Sequence, residues 1–208
     1  MILPYSPFLC VITDEAFCPV TLAEEALKGG AAMIQLRHKD ASGSQLFNWA
    51  VEIRKRCRKY KALFIINDRV DIAMASRSDG VHLGQLDMPA DAARKLLGKS
   101  RIIGISASSP AEALIAEKNG ADYIGFGHIY PTSSKEKGFL PIGPESLREA
   151  ASLVSLPLIA IGGINVENAA SLIDLGASGV AVISAVSRDK EPASAAHELV
   201  RAIQNRNV

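Results

Sequence analysis

Short apolar, β-branched runs return at intervals along the chain, and amphipathic stretches fill the gaps between them. The runs are Phe8–Thr13, Met33–Arg37, Leu63–Asn67, Gly80–Leu83, Arg101–Ser106, Tyr123–Gly127, Leu158–Ile161 and Gly179–Ser184. Each is too short for a helix and reads as a strand. The stretches between them carry helix punctuation. Thr21 followed by Glu24 reads as a capping box, and Ser109-Pro110 with Glu112 reads as a cap with proline at the first helical position. Gly29, Gly120 and Gly176 fall where helices should stop.

A weak internal repeat reinforces the alternation. LKGGAAMIQL, EKNGADYIGFG and LIDLGASGVAVIS all run from helix end through glycine and a small residue into a hydrophobic strand. Strand-then-helix units of about 25 residues imply a parallel sheet covered on both faces. Eight such units predict closure as a single-domain (β/α)8 TIM barrel spanning residues 1–208. An open doubly wound sheet is disfavoured, because no GxGxxG turn follows the first strand. The longest irregular stretch, His128–Gly143, follows the sixth strand and is a candidate active-site loop.

Composition narrows the classes. Hydrophobic residues make up 48% and charged residues 22% of the 208, which excludes disorder and fibre. With 23 basic and 22 acidic side chains the net charge is +1, so no unipolar field draws in nucleic acid or an anionic membrane. An anionic ligand must be caught by local groups. Cys10, Cys18 and Cys57 follow no CxxC or Cys/His spacing, which points to a reducing, cytoplasmic compartment and away from zinc or a disulfide scaffold. Pro4, Pro7 and Asp14 interrupt the apolar N-terminus, no basic region precedes it, and no run of about 18 apolar residues occurs. Neither a signal peptide nor a membrane span is expected.

If the barrel closes, chemistry belongs at the C-terminal ends of the strands. The second strand ends in Gln35-Leu36-Arg37-His38-Lys39, and alternation puts Gln35, Arg37 and Lys39 on one side. Two cations there suit a phosphate or diphosphate, although a solvated charge run looks the same. The third strand ends in Asn67-Asp68, and the fourth runs into Gly84-Gln85-Leu86-Asp87. Asp68 and Asp87 can share a hard cation such as Mg2+ with phosphate oxygens, or can each serve a helix start. Ser106 points to the mouth if its parity holds. The loop after the sixth strand offers Thr132, Ser133, Ser134 and Lys135 to an anion, and His128 stands at its strand end as a candidate acid or base. Gly162-Gly163 and Ile183-Ser184 close the last two strands, where such barrels bind phosphate at a short extra helix. No Ser–His–acid order, activated cysteine or Schiff-base lysine stands out.

The segments IQLRHKD, FIINDRVDIA, DGVHLGQLD, IGIS, GADYIGFG followed by PTSSK, IAIGGI and GVAVIS together resemble the thiamine phosphate synthase family. They touch nearly every strand–helix junction from about residue 10 to 190. The resemblance implies transfer of a hydroxymethylpyrimidine group from its diphosphate to a thiazole phosphate, with release of diphosphate. It implies that Gln35, Arg37, Lys39 and Asn67 hold the pyrimidine diphosphate, that Ser106 contacts the pyrimidine, and that Lys135 meets the diphosphate. It implies Mg2+ on Asp68 and Asp87, and thiazole phosphate on Thr132, Ser133, Ser134, Gly163, Ile183 and Ser184. Arg37, Lys39 and Lys135, with His128, are the residues expected to act in catalysis. The expected partners are these small molecules, with no nucleic acid and no membrane, and a homo-oligomer is compatible.

Three features depart from the family pattern. His128 replaces a common proline, Ser134 stands for a threonine, and the chain starts close to its first strand. The Gly-His pair and the short start resemble the thiazole tautomerase branch, which needs no Mg2+. That isomerase is the alternative reading. A non-catalytic phosphate-ligand sensor on the same scaffold is another.

Overall fold

The computed structural model describes residues 3–132 and 140–205. Its strands are β1 (Phe8–Ile12), β2 (Met33–Leu36), β3 (Leu63–Asn67), β4 (Gly80–Leu83), β5 (Ile102–Ala107), β6 (Tyr123–Gly127), β7 (Leu158–Ile161) and β8 (Gly179–Val182). All are parallel and pair in sequence order, with β8 returning to β1, so the sheet closes into a barrel. The helices are α1 (Pro19–Lys28), α2 (Gly43–Tyr60), α3 (Val70–Ser76), α4 (Ala90–Leu97), α5 (Pro110–Lys118), α6 (Gly143–Leu153), α7 (Ala169–Asp174), α8 (Ser184–Ser187) and α9 (Pro192–Gln204). The eight-strand barrel is the expected architecture, and strand ends shift by one or two residues at most.

Period-two alternation divides the strands between two cores. Outward residues such as Leu9, Ile34, Phe64, Val81, Ile103, Phe126, Ala160 and Val180 pack against the helices. Inward residues Phe8, Cys10, Ile12, Met33, Ile65, Ile102, Tyr123, Ile159 and Ala181 fill the barrel. Both faces are buried, which is why the strands read as near-continuous apolar runs.

Helix boundaries test the punctuation. Ser109 Oγ accepts from Glu112 N at 3.2 Å and Pro110 opens α5, as its sequence indicates. The expected Thr21–Glu24 box does not form. Pro19 starts α1 two residues earlier with Cys18 as its N-cap, so Thr21 already lies inside the helix, and Glu24 binds Arg56 Nε at 2.9 Å. A capping box occurs instead at α2, where Ser42 and Gln45 exchange bonds with each other's main chain. Gly120 and Gly176 follow their helices in left-handed conformations, as expected of terminators. At the end of α1 the left-handed residue is Gly30; Gly29 is helical, and a Cβ there would lie 2.6 Å from Ala196 Cβ of α9. Gly29 is small because a helix crosses it.

Candidate active site

The barrel opens at the C-terminal ends of its strands into a cavity of about 330 Å³. Hydrogen-bonding and apolar side chains share its lining. Gln35, Asn67, His82 and Ser106 project from β2 to β5, whereas Cys10, Ile12, Ile159, Ile161, Ala181 and Ile183 contribute apolar or weakly polar surface from β1, β7 and β8. The register explains the polar wall: Asn67 pairs with His82, and His82 with Gly104, so inward positions on successive strands lie side by side.

A three-residue network anchors that wall. His82 Nδ1 lies 2.9 Å from Tyr123 Oη, and His82 Nε2 lies 2.9 Å from Ser106 Oγ. Each ring nitrogen thus has a hydroxyl within hydrogen-bond distance. The His82 and Tyr123 rings also stack with centroids 5.5 Å apart. Glycine makes this possible. A Cβ at Gly104 would enter the Tyr123 ring, and one at Gly125 would sit 2.7 Å from His82 Cε1. Burial raises the Tyr123 phenol well above its usual range, with the nearby Cys10 adding to the shift. The Cys10 thiol, also wholly buried, is pushed up to about 12. Neither group ionises at neutral pH, so the cavity floor holds no thiolate or phenolate nucleophile.

The residues singled out from the sequence divide into three groups. Gln35, Arg37, Asn67, Ser106, His128, Thr132, Gly163, Ile183 and Ser184 line the cavity. Lys39, Asp68 and Asp87 do not line it. Strand β2 ends at Leu36, so alternation no longer governs residue 39; Lys39 is exposed and its N–H donates to Glu15 Oε1 at 3.0 Å. Ser133, Ser134 and Lys135 lie outside the described residues.

The two aspartates follow adjacent strands. Asp68 follows β3 in a left-handed conformation at φ 62°, with its N–H donated to His82 O at 2.8 Å. The Asp87 carboxylate closes the turn after β4 by accepting from Gly84 N at 2.7 Å. That bond is a structural duty for Asp87, and a carboxylate has lone pairs left for others. Among the described residues no group of three or more His, Cys, Asp or Glu side chains converges as a metal cluster. Asp68 and Asp87 carry hard carboxylate oxygens, the donor chemistry of a divalent cation, just past the ends of neighbouring strands.

The paired glycines after β7 have a packing reason that the sequence does not show. The loop after β6 lies directly on them: Tyr130 N donates to Gly162 O at 3.0 Å, and a Cβ at Gly163 would fall 2.5 Å from Pro131 O. A Cβ at Gly162 would collide with the His128 side chain. His128 is 5% exposed and shares the cavity wall with these glycines. After β8, Ile183 caps the short α8 and Ser184 is its first residue, so the extra helix expected there is present.

Sequence reasoning missed His82, Tyr123 and Glu15. His82 and Tyr123 carried a legible signal, because strand parity turns both inward and the inward glycines at 104 and 125 leave space beside them. Glu15 carried none, since both it and its partners Arg37 and Lys39 lie beyond the strands, where no parity relates them.

The family model for thiamine monophosphate synthase matches residues 9–186. A thiamine-phosphate synthase of Chlorobium limicola is 63% identical over 202 residues, covering 97% of this chain and 96% of its own length. That of Chlorobium phaeovibrioides is 58% identical over 204 residues, covering 98% of each. Among solved structures, a thiamine phosphate pyrophosphorylase from Pyrococcus furiosus superposes with a TM-score of 0.88 at 42% identity, covering 95% of both chains.

Proposed function

The chain belongs to the thiamine monophosphate synthase family of transferases, and from that premise we propose that it joins a hydroxymethylpyrimidine diphosphate to a thiazole phosphate with the help of Mg2+. The single observation that carries this reading is the mixed polar and apolar lining of the cavity. An aminopyrimidine has flat apolar faces and a hydrogen-bonding edge, which suits a cavity lined both by apolar Ile12 and Ile159 and by hydrogen-bonding Gln35, Asn67 and Ser106.

The residue roles are those that the family resemblance implies. Gln35 and Asn67 hold the pyrimidine diphosphate, with Ser106 on the ring. Arg37 at the rim offers a planar fork of N–H donors to the diphosphate, and Lys39 and Lys135 add positive charge. Thr132, Ser133 and Ser134, together with Gly163, Ile183 and Ser184, receive the thiazole phosphate. Asp68 and Asp87 would hold the Mg2+ through their carboxylates. When bound, the ion neutralises charge gathering on the leaving diphosphate.

In the reaction, the bond between the pyrimidine methylene and the diphosphate oxygen breaks, and its electron pair leaves with diphosphate. The thiazole nitrogen lone pair then forms the new C–N bond. The protein supplies position and charge: Arg37 and the lysines stabilise the leaving group, and the cavity lining holds the two rings within reach of each other. No protein nucleophile is needed, in keeping with a protonated Cys10 and Tyr123.

The test is an assay with both synthetic substrates, with and without Mg2+. Thiamine phosphate should form with the ion and cease in excess chelator. Asp68→Ala should abolish product while circular dichroism stays unchanged. Full activity in chelator removes the metal from the reading, and no product under any condition removes the synthase.

His128 supports a second reading, a thiazole tautomerase whose histidine carries protons, because its side chain is buried in the cavity wall. Thiazole aromatisation measured with the wild type and His128→Ala decides it. Equal rates exclude this histidine from that chemistry.

A further inference from the structure

Strand β1 runs out into Thr13-Asp14-Glu15, and two of these side chains reach sideways to the end of β2. Thr13 Oγ1 accepts from Arg37 N at 2.9 Å and donates to Arg37 O at 2.8 Å. Glu15 Oε1 accepts from Arg37 Nη1 at 2.8 Å and from Lys39 N at 3.0 Å. One carboxylate oxygen thus spans a guanidinium and the main chain two residues beyond it. The arrangement sits where regular structure has stopped, since the β2 ladder ends at Leu36. It is also sheltered: the side-chain exposures are 13% for Arg37 and 31% for Glu15.

An arginine at a cavity rim has a long stem and much rotamer freedom. To serve an anion it must be held before the anion arrives, and the ordering cost is then met in folding. We propose that Glu15 is a positioning residue that holds Arg37 in readiness for the diphosphate of the substrate. It touches no reacting atom and acts through Arg37. Its oxygen engages Nη1, and the guanidinium has other N–H donors to present to phosphate oxygens. The inference rests on the reading above that Arg37 receives the diphosphate. An opposing effect exists, because a carboxylate beside an anion site repels the anion. Ordering and repulsion predict opposite changes in KM, so the sign of the measured change separates them.

The experiment is steady-state kinetics on the full chain with both substrates and Mg2+, for Glu15→Ala, Glu15→Gln, Arg37→Ala and the Glu15→Ala/Arg37→Ala pair. Glu15→Ala should raise the KM for the pyrimidine diphosphate about tenfold, as expected for loss of a hydrogen bond to a charged group. The KM for the thiazole phosphate and kcat should stay within about twofold. Glu15→Gln should recover most of the loss, because an amide oxygen still accepts both bonds. In the Arg37→Ala background, Glu15→Ala should add nothing. Thermal unfolding of each variant separates these effects from loss of fold. An unchanged or lowered diphosphate KM in Glu15→Ala, or an equal rise for both substrates, overturns the inference. If Arg37→Ala keeps the wild-type diphosphate KM, the reading of Arg37 fails and takes the inference with it. If Arg37→Ala is impaired and Glu15→Ala is not, the inference alone fails.

Discussion

Ser187 Oγ donates to the Asp14 carboxylate at 2.7 Å across a separation of 173 residues. The bond ties the end of β1 to α8, the short helix after β8, and so spans the seam where the barrel closes. Ser187 is 2% exposed, so its hydroxyl has little water to turn to. Removing one partner of a buried bond costs more than the bond itself contributes. Ser187→Ala should lower stability by about 1–2 kcal/mol, read from urea unfolding midpoints. A variant as stable as the wild type would show that the seam does not depend on this bond.

The room for Tyr123 comes from a missing side chain. A methyl at position 104 would enter the Tyr123 ring. Gly104→Ala should therefore cost about 1–3 kcal/mol from overpacking and disturb the His82–Ser106 wall. Differential scanning calorimetry measures the first effect. Pairing the substitution with Tyr123→Phe would not relieve it, whereas Tyr123→Leu would relieve part of it, because the clash is with the ring and not with its hydroxyl alone.

Thiol reactivity should follow burial. Cys18 is exposed at the N-terminus of α1, and hydrogen bonds from the Thr21 backbone and side chain lower its thiol below the usual value. Cys10 and Cys57 are both pushed up to about 12 by burial. Iodoacetamide near neutral pH should label Cys18 in the folded protein and reach the other two only after denaturation, as mass spectrometry of the peptides would show. Rapid labelling of Cys10 without denaturant would contradict its buried placement.

The same shifts set an alkaline limit. A thiol raised from 9.0 to about 12 in the folded state stays protonated after its unfolded counterpart has ionised. Its stability contribution is whole below about pH 9 and drains away as pH climbs towards 12. The raised Tyr123 phenol works in the same direction. Unfolding midpoints should fall between about pH 8 and 10.5, and fall less in Cys10→Ala. Parallel declines in the two proteins would show that this thiol is not among the groups responsible.

Much of the barrel was legible because alternation is a local property. Whether Ile103 faces a helix and Ile102 the interior depends on neighbouring residues and a period of two, so strand limits and facing could be read in advance. The same parity turned Gln35, Asn67 and Ser106 towards the mouth, and all three line the cavity. It failed at Lys39, where the strand had already ended. It also failed at Thr21, because a proline two residues earlier had opened α1. Gly162 and Gly163 show a further limit: their pattern suggested anion contact, and the visible demand on them is the loop after β6 lying against their Cα atoms.

By itself, then, the order of residues determined the number of strands, their inward and outward faces, and the polar character of the wall from β2 to β5. Tertiary structure alone decided the pairings: Glu15 with Arg37, Ser187 with Asp14, and His82 with Tyr123 and Ser106. Facing follows from the short-range geometry of one extended chain. Partnership depends on the register between strands and on closure of β8 against β1, which bring together side chains that no local spacing relates.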